Sequence, residues 1–470
     1  MSDKKTELVR GLSLRDTTAL VVGTIIGTGV FLKTSKMAQA VGSPELVLLA
    51  WLAAGILSLA GALTYAELGA MLPKAGGEYI YLRAAYGNLV AFLFGWMRIV
   101  VGSTGSIAIF GVAFATFLSA LVPLKTVWAE KSFMLLGQTI HWQFGEKQIV
   151  AVGIIFLFSV INCLRVVFGG RIQSVLTLAK VLGIAVIIIG VFFFAPAATW
   201  ENLRAPAGAA AWSGFSAFGA AMLAALWAFD GWNNMPMVAG EVKDPGRNIP
   251  RALIIGVVIV LLVYGLANLA YFYALPFEEI LTSNSTAHRD ALPVAGKAAQ
   301  TFMGTHGPAL VSIAFILSTL GALYGSILTS ARIPYAMARD GLFFSHFAEL
   351  SKRAAVPVAA IFLQATWASV LAISGTFDQL TDYVVFAGWM FYAATTAAVF
   401  VLRKKMPDAP RPYRTLGYPV VPLLFVAVAI WLIVNTLLTS PVEAGAGLVL
   451  IALGLPVYVW QRRSMKKPEE

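Results

Sequence analysis

Apolar residues run through this chain in long blocks separated by short polar gaps. A membrane-spanning helix needs about 20 mostly apolar residues. Twelve blocks come near or exceed that length. The first five lie at about 17–40, 45–71, 88–122, 149–166 and 172–195. The next five lie at 211–240, 251–275, 307–338, 357–376 and 380–402, and the last two at 418–438 and 445–461. Several exceed 25 residues, which predicts tilt, interruption or helix continuing beyond the lipid. The pattern predicts an all-α membrane protein with twelve transmembrane helices.

The gap at 196–210, PAATWENLRAPAGAA, is a natural seam. It separates a first five-helix unit, 17–195, from a second, 211–402, and leaves two further helices within 418–461. Five is odd, so the second unit must enter the membrane upside down relative to the first. That is an inverted repeat. Residues 1–16 and 462–470 are then tails on one side. With Lys33, Lys36, Arg165, Arg251 and Arg332, which lie towards block ends, counted with the adjoining gaps, 24 of the 34 Lys and Arg residues fall on the side of those tails and 8 on the other, leaving Arg98 and Lys180 inside blocks. Basic residues favour the cytosolic side, so both termini are expected there.

Composition agrees with the bilayer as solvent. The chain is 59% hydrophobic and 12% charged, where a soluble domain carries about 25% charged residues. The net charge of +11 does not point to nucleic acid, because the basic residues sit in short gaps without a basic, aromatic-interleaved stripe. They suit an anionic leaflet instead. The single cysteine, Cys163, excludes a disulfide framework and reads first as a small buried residue, second as a thiol. His141, His288, His306 and His346 lie far apart in predicted loops without metal-ligand spacing. Neither metal nor cofactor is expected, and no nucleophile and base are assembled as an enzyme would need. The polar N-terminus, MSDKKTELVRGLSLRD, has no signal-type apolar core and reads as a cytosolic tail.

Chemistry concentrates where two blocks are interrupted. The first contains Gly23-Thr24-Ile25-Ile26-Gly27-Thr28-Gly29-Val30-Phe31. Glycine disfavours helix by about 1 kcal/mol relative to alanine. A break here would free amides at Gly27, Thr28 and Gly29 and carbonyls at Thr24 or Ile25. Such groups are tolerated at membrane depth only beside a cavity or ligand, and a new helix start offers N–H groups to a carboxylate. The other reading is close packing through Gly23-x-x-x-Gly27. The sixth block contains Trp227-Ala228-Phe229-Asp230-Gly231-Trp232-Asn233-Asn234-Met235-Pro236. Proline removes a helix hydrogen bond, and a carboxylate in the bilayer requires a polar setting. Breaks in the first helix of each unit are what a midplane binding site requires. A channel would instead show a continuous polar path.

Lys180, within the fifth block, has three readings: it snorkels, it holds carbonyls freed by the first break, or it exchanges a proton. Glu67 reads as an interhelical ion pair or gate, and Arg98 as packing or a cytosolic gate. Glu241, Lys243, Asp244 and Arg247 read as capping and surface pairing.

These residues resemble the amino acid–polyamine–organocation superfamily, and within it the prokaryotic members of the L-type amino acid transporter family. The likeness rests on GTIIGTGVF (23–31), LAGALTYAELGAMLPKAGGEYIYL (59–82), LWAFDGWNNMPMVAGEVKDPGRNIPRAL (226–253), ARIPYAMARDGLFF (331–344) and RPYRTLGYPVVP (411–422). It implies a LeuT-type fold with discontinuous helices 1 and 6, in a multi-pass protein of the cell membrane, here a bacterial inner membrane. It implies sodium-independent exchange of neutral L-amino acids by alternating access. A cationic or broad-range exchanger and a proton-coupled symporter are the alternatives. By the same likeness the α-carboxylate meets Gly27, Thr28 and Gly29. The α-amino group meets carbonyls at Ile25 and from Trp227 through Phe229 to Asp230. Trp227 is the aromatic gate, and Lys180 stands where related folds bind sodium. Animal members join a heavy chain through an outer-loop cysteine. Residues 123–148 contain none, so a monomer or weak homo-oligomer without a disulfide-linked partner is expected.

Overall fold

The computed structural model describes residues 7–135, 138–204, 214–285, 287–288, 291–374, 377–439 and 441–464. The seam therefore lies partly outside the described residues, as do most of the C-terminal tail and the first residues of the N-terminal one. Over its described residues, each of the twelve apolar blocks is largely helical. Nine helical stretches among the described residues are long and apolar enough to cross a membrane. The chain is a multi-pass, predominantly helical membrane protein.

Helix α1 (Leu14–Ile25) opens on a capping box, in which Ser13 accepts from the Asp16 amide while Asp16 accepts from the Ser13 amide. It stops at Ile26, whose backbone is extended, and α2 (Gly29–Val41) begins three residues on. Helix α3 (Pro44–Met71) follows, with Ser43 capping it and proline in its first turn. A short α4 (Glu78–Tyr86) leads into α5 (Asn88–Met97), a π-helical turn (Arg98–Gly102) and α6 (Ser103–Leu118). Helices α7 (Glu146–Asn162) and α8 (Val166–Phe194) complete the first half.

In the second half α9 (Phe215–Phe229) ends at an extended Asp230. Gly231 then takes φ +120°, and the chain continues as a 3-10 helix, Trp232–Glu241, with Pro236 inside. Helix α10 (Pro245–Ala274), the short α11 (Phe277–Leu281) and α12 (Val294–Met303) precede α13 (Gly307–Ser330). Then come α14 (Arg332–Arg339), α15 (Val358–Ser374), α16 (Phe377–Lys405), α17 (Val420–Thr439), α18 (Pro441–Ala452) and α19 (Gly454–Ser464).

One segment corrects the all-α expectation. Residues Val127–Leu135 and Gln138–Gly145 pair as an antiparallel hairpin, β1 and β2. Its sequence carries the β-branched and aromatic residues Val127, Trp128, Phe133, Ile140, Trp142 and Phe144, a composition that favours strands. Trp142 donates its indole N–H to the Ile373 carbonyl at 2.8 Å and so covers the end of α15.

The two interruptions meet in space. A side chain on Gly231 would strike the Thr24 carbonyl at 2.5 Å, and its φ suits only glycine. A Cβ on Gly29 would come within 2.4 Å of the Ala228 Cβ. Gly29 lets α2 approach α9 closely, and Gly231 lets the second break lie against the end of α1. Gly29→Leu should therefore destabilise the protein by about 1–3 kcal/mol through overpacking. Gly153→Ala, in open space on α7, should not. Melting temperatures of the two variants in detergent test this.

Candidate functional site

The break in the first helix leaves carbonyls without helical partners, and polar side chains take them. Lys180 of α8, fully buried, donates from Nζ to the carbonyls of Gly23 (2.8 Å), Ile26 (2.6 Å) and Ser318 (2.9 Å). It does not snorkel. The Ser318 hydroxyl lies within reach of the carbonyls of Gly27 (2.9 Å) and Ile26 (3.2 Å), for one of which it supplies its proton. The Tyr264 hydroxyl lies between the carbonyls of Ile25 (3.2 Å) and Ala228 (3.0 Å), bridging the two breaks. The Thr24 hydroxyl lies between the Leu20 carbonyl of its own helix (2.7 Å) and the Gly231 carbonyl (3.0 Å), a second bridge.

Between the breaks lies a small cavity. Its lining includes Ile25, Gly27, Thr28, Gly29, Trp227 and Asp230, joined by Ser106, Phe110, Asn234 and Ser326. Only about 30 Å³ is open to the centre of a water-sized sphere, room for a few waters at most. The Thr28 hydroxyl, on the cavity wall, is buried without a partner. Such a group normally finds one. Asp230 accepts from the Tyr392 hydroxyl at 2.6 Å, and Tyr392 accepts from Asn233 at 3.1 Å. Lys33 places Nζ 4.3 Å from the centroid of the Trp227 ring, cation–π distance. Phe229 is not on the cavity wall. Its ring packs on Trp51 and Tyr264.

The two ends of the bundle differ. At the end holding Leu12 the chain is closed. The Gly11 and Leu12 amides donate to the Glu241 carbonyl, and the Lys243 amide to Leu12, each at 2.9 Å. Glu241, expected at the surface, is wholly buried and takes two bonds from Arg332, at 2.7 and 2.9 Å. The expectation failed because burial here is set by α14, which sequence neighbours do not reveal. Glu67 is likewise an interhelical anchor, held by Arg403, Arg411 and Thr415. Arg83 pairs with Asp340 at 2.6 Å. Glu78 of α4 is buried beside Tyr65, and burial raises its acid to about 7 against the opposing charge of Arg98. At the opposite end a cavity of about 610 Å³ lies between α2, α6, the residues Asn284, Ser285, Ala291, Leu292 and Pro293, and the start of α13.

The family model for Amino acid permease matches residues 12–459. The chain belongs to this family. The permease is 31% identical over 453 residues to the serine/threonine exchanger SteT of Bacillus subtilis (strain 168), covering 94% of this chain and 95% of that protein. It is 32% identical to the large neutral amino acids transporter small subunit 2 of Mus musculus, covering 97% and 82%. It is 30% identical to the human cystine/glutamate transporter, covering 98% and 87%. This places the permease in the amino acid–polyamine–organocation superfamily, on its L-type side, as a transporter and not an enzyme.

Of the residues singled out from sequence, Ile25, Gly27, Thr28, Gly29, Trp227 and Asp230 converge on the cavity, Lys180 braces it from behind, and Phe229 turns away. Sequence reading passed over Tyr264, Ser318, Tyr392 and Lys33. Tyr264 and Ser318 are single hydroxyls in apolar helices, and only the position of the break gives them meaning. Removing one partner from a buried ion pair destabilises by about 3–5 kcal/mol, whereas partly exposed pairs contribute about 0–1 kcal/mol. Arg332→Met should therefore lower the melting temperature in detergent far more than Arg83→Met. Equal losses would contradict this reading of the closed end.

Proposed function

We propose that the permease is a sodium-independent exchanger of neutral L-amino acids working by alternating access. The observation that carries this reading is the pair of helix breaks facing one another across a cavity, with a lysine ammonium bound to the carbonyls of the first. The relatives named above include a serine/threonine exchanger and a neutral amino acid transporter subunit. In this reading the chain crosses the cell membrane twelve times, as five-helix repeats 17–195 and 211–402 inverted in a LeuT-type arrangement, plus the two helices of 418–461. Both termini are cytoplasmic, so the end that holds Leu12 faces the cytosol.

A zwitterion bridges the two breaks. Its carboxylate takes the amides of Gly27, Thr28 and Gly29 and the unpartnered Thr28 hydroxyl, at a helix start that favours an anion. Its ammonium takes the free lone pair of the Ile25 carbonyl and carbonyls from Trp227 to Asp230, the Phe229 peptide included. Trp227, under Lys33, closes over it. Lys180 donates to the freed carbonyls where related folds hold sodium, so binding needs no metal ion. The closed cytosolic end and the roomy far cavity suit the outward-facing part of the cycle. The small binding cavity then opens by shifts of α2 and α9, which meet closely where Gly29 faces Ala228. No disulfide-linked heavy chain is needed, and a monomer or weak homo-oligomer suffices.

Proteoliposomes give the test. Uptake of labelled alanine or serine is expected to be rapid only when amino acid is present inside, and to be unchanged when sodium replaces potassium. Lys180→Met should slow exchange by about tenfold or more, the effect of losing about 1.4 kcal/mol at the barrier. Uptake indifferent to internal amino acid but driven by a pH gradient would replace exchange with proton symport.

A further inference from the structure

Asp230 puts a carboxylate on the wall of the cavity. Alone, it would suit a substrate with a cationic side chain. A second charge stands behind the same wall. Arg98, in the π-helical turn between α5 and α6, is 5% exposed. Its Nη2 donates to Asn234 Oδ1 at 2.7 Å and lies 3.9 Å from the Met237 sulfur. Asn234 itself lines the cavity. Arg98 Nε is buried without a partner.

A guanidinium cannot shed its proton inside a protein, and a buried charge needs a counter-charge. Among the described residues no carboxylate reaches Arg98 within ion-pair distance. Two carboxylates act on it through space, Asp230 and Glu78. Each is committed elsewhere by contact, Asp230 to Tyr392 and Glu78 to Tyr65 at 2.7 Å. Burial raises the Glu78 acid to about 7, so near neutral pH it carries only part of a charge. Arg98 and Asp230 then form a balanced pair around Asn234, one on each side of the cavity wall. Both groups stand inside the protein, where charges are screened less than in water.

We propose that Arg98 is the residue that makes this permease prefer neutral to cationic amino acids, by cancelling the charge of Asp230 at the cavity wall. This rests on the transport reading above and assigns its substrate class to one side chain. Arg98 acts without touching substrate. An incoming arginine or lysine meets attraction from Asp230 and repulsion from Arg98, so it gains nothing to offset its desolvation. A neutral side chain is indifferent to both.

The test is a competition panel on the full chain in proteoliposomes loaded with alanine. Labelled alanine is taken up against unlabelled alanine, arginine or glutamate. Wild-type protein should take arginine about tenfold or more less well than alanine, the scale of one imperfectly screened charge. Arg98→Met should narrow that ratio about tenfold, and Arg98→Lys should restore it. Asp230→Asn leaves Arg98 unopposed and should act in the opposite sense, raising competition by glutamate about tenfold while arginine stays excluded. A purely structural role for Arg98 would change rates without moving these ratios. Variants that exchange too slowly are compared by the shift each amino acid produces in melting temperature in detergent. Unchanged arginine exclusion in Arg98→Met, or no gain for glutamate in Asp230→Asn, overturns the proposal. Wild-type protein that exchanges no amino acid overturns the transport reading instead, a separate result.

Discussion

A helix broken inside a bilayer must find new partners for its freed carbonyls, since lipid offers none. Everything near the cavity follows from that constraint. Lys180, Ser318 and Tyr264 together bind the carbonyls of Gly23, Ile25, Ile26 and Gly27. They come from α8, α13 and α10, so the break can persist only while those helices keep their places. Tyr264 and Thr24 also tie the first break to the second. The interruptions are therefore one construction. What remains open between them is the small space at Thr28, Trp227 and Asp230.

The same constraint explains the unequal ends of the bundle. Closing the end at Leu12 buries Glu241 and Arg332 completely, and a bidentate pair keeps both satisfied. The N-terminal segment adds backbone bonds to the same carboxylate's main chain. Such contacts hold while the pieces stay registered and are lost together when they part, which suits a gate more than a hinge. The other end combines aromatic and cation–π contacts around Phe31, Phe117, Phe315 and Trp227 with polar bonds such as Lys297 to Glu279 at 2.9 Å and Gln39 to the Leu281 carbonyl at 2.7 Å. The space beside them is already wide.

Much of this was legible in the sequence because the informative residues violate a pattern. Glycines at 23, 27 and 29, Pro236 and Asp230, and Lys180 all stand out against apolar helix. They mark both breaks and the lysine. The partners were not legible. A tyrosine at 264 or a serine at 318 obeys the ordinary composition of a membrane helix, and its role depends on a contact far away in the chain. Glu241 was misplaced because it stands beside Lys243 and Asp244, which do face outward. The hairpin at 127–145 was missed because its strands lie in a loop too short and too mixed to give a membrane signal.

An experimental density map of the protein with a bound neutral amino acid tests the central claim most directly. The account predicts the α-carboxylate on the amides of Gly27, Thr28 and Gly29, the α-amino group on carbonyls of the second break, and Lys180 still on Gly23 and Ile26. Ligand density elsewhere in the molecule, or continuous helix through residues 26–28, would contradict it.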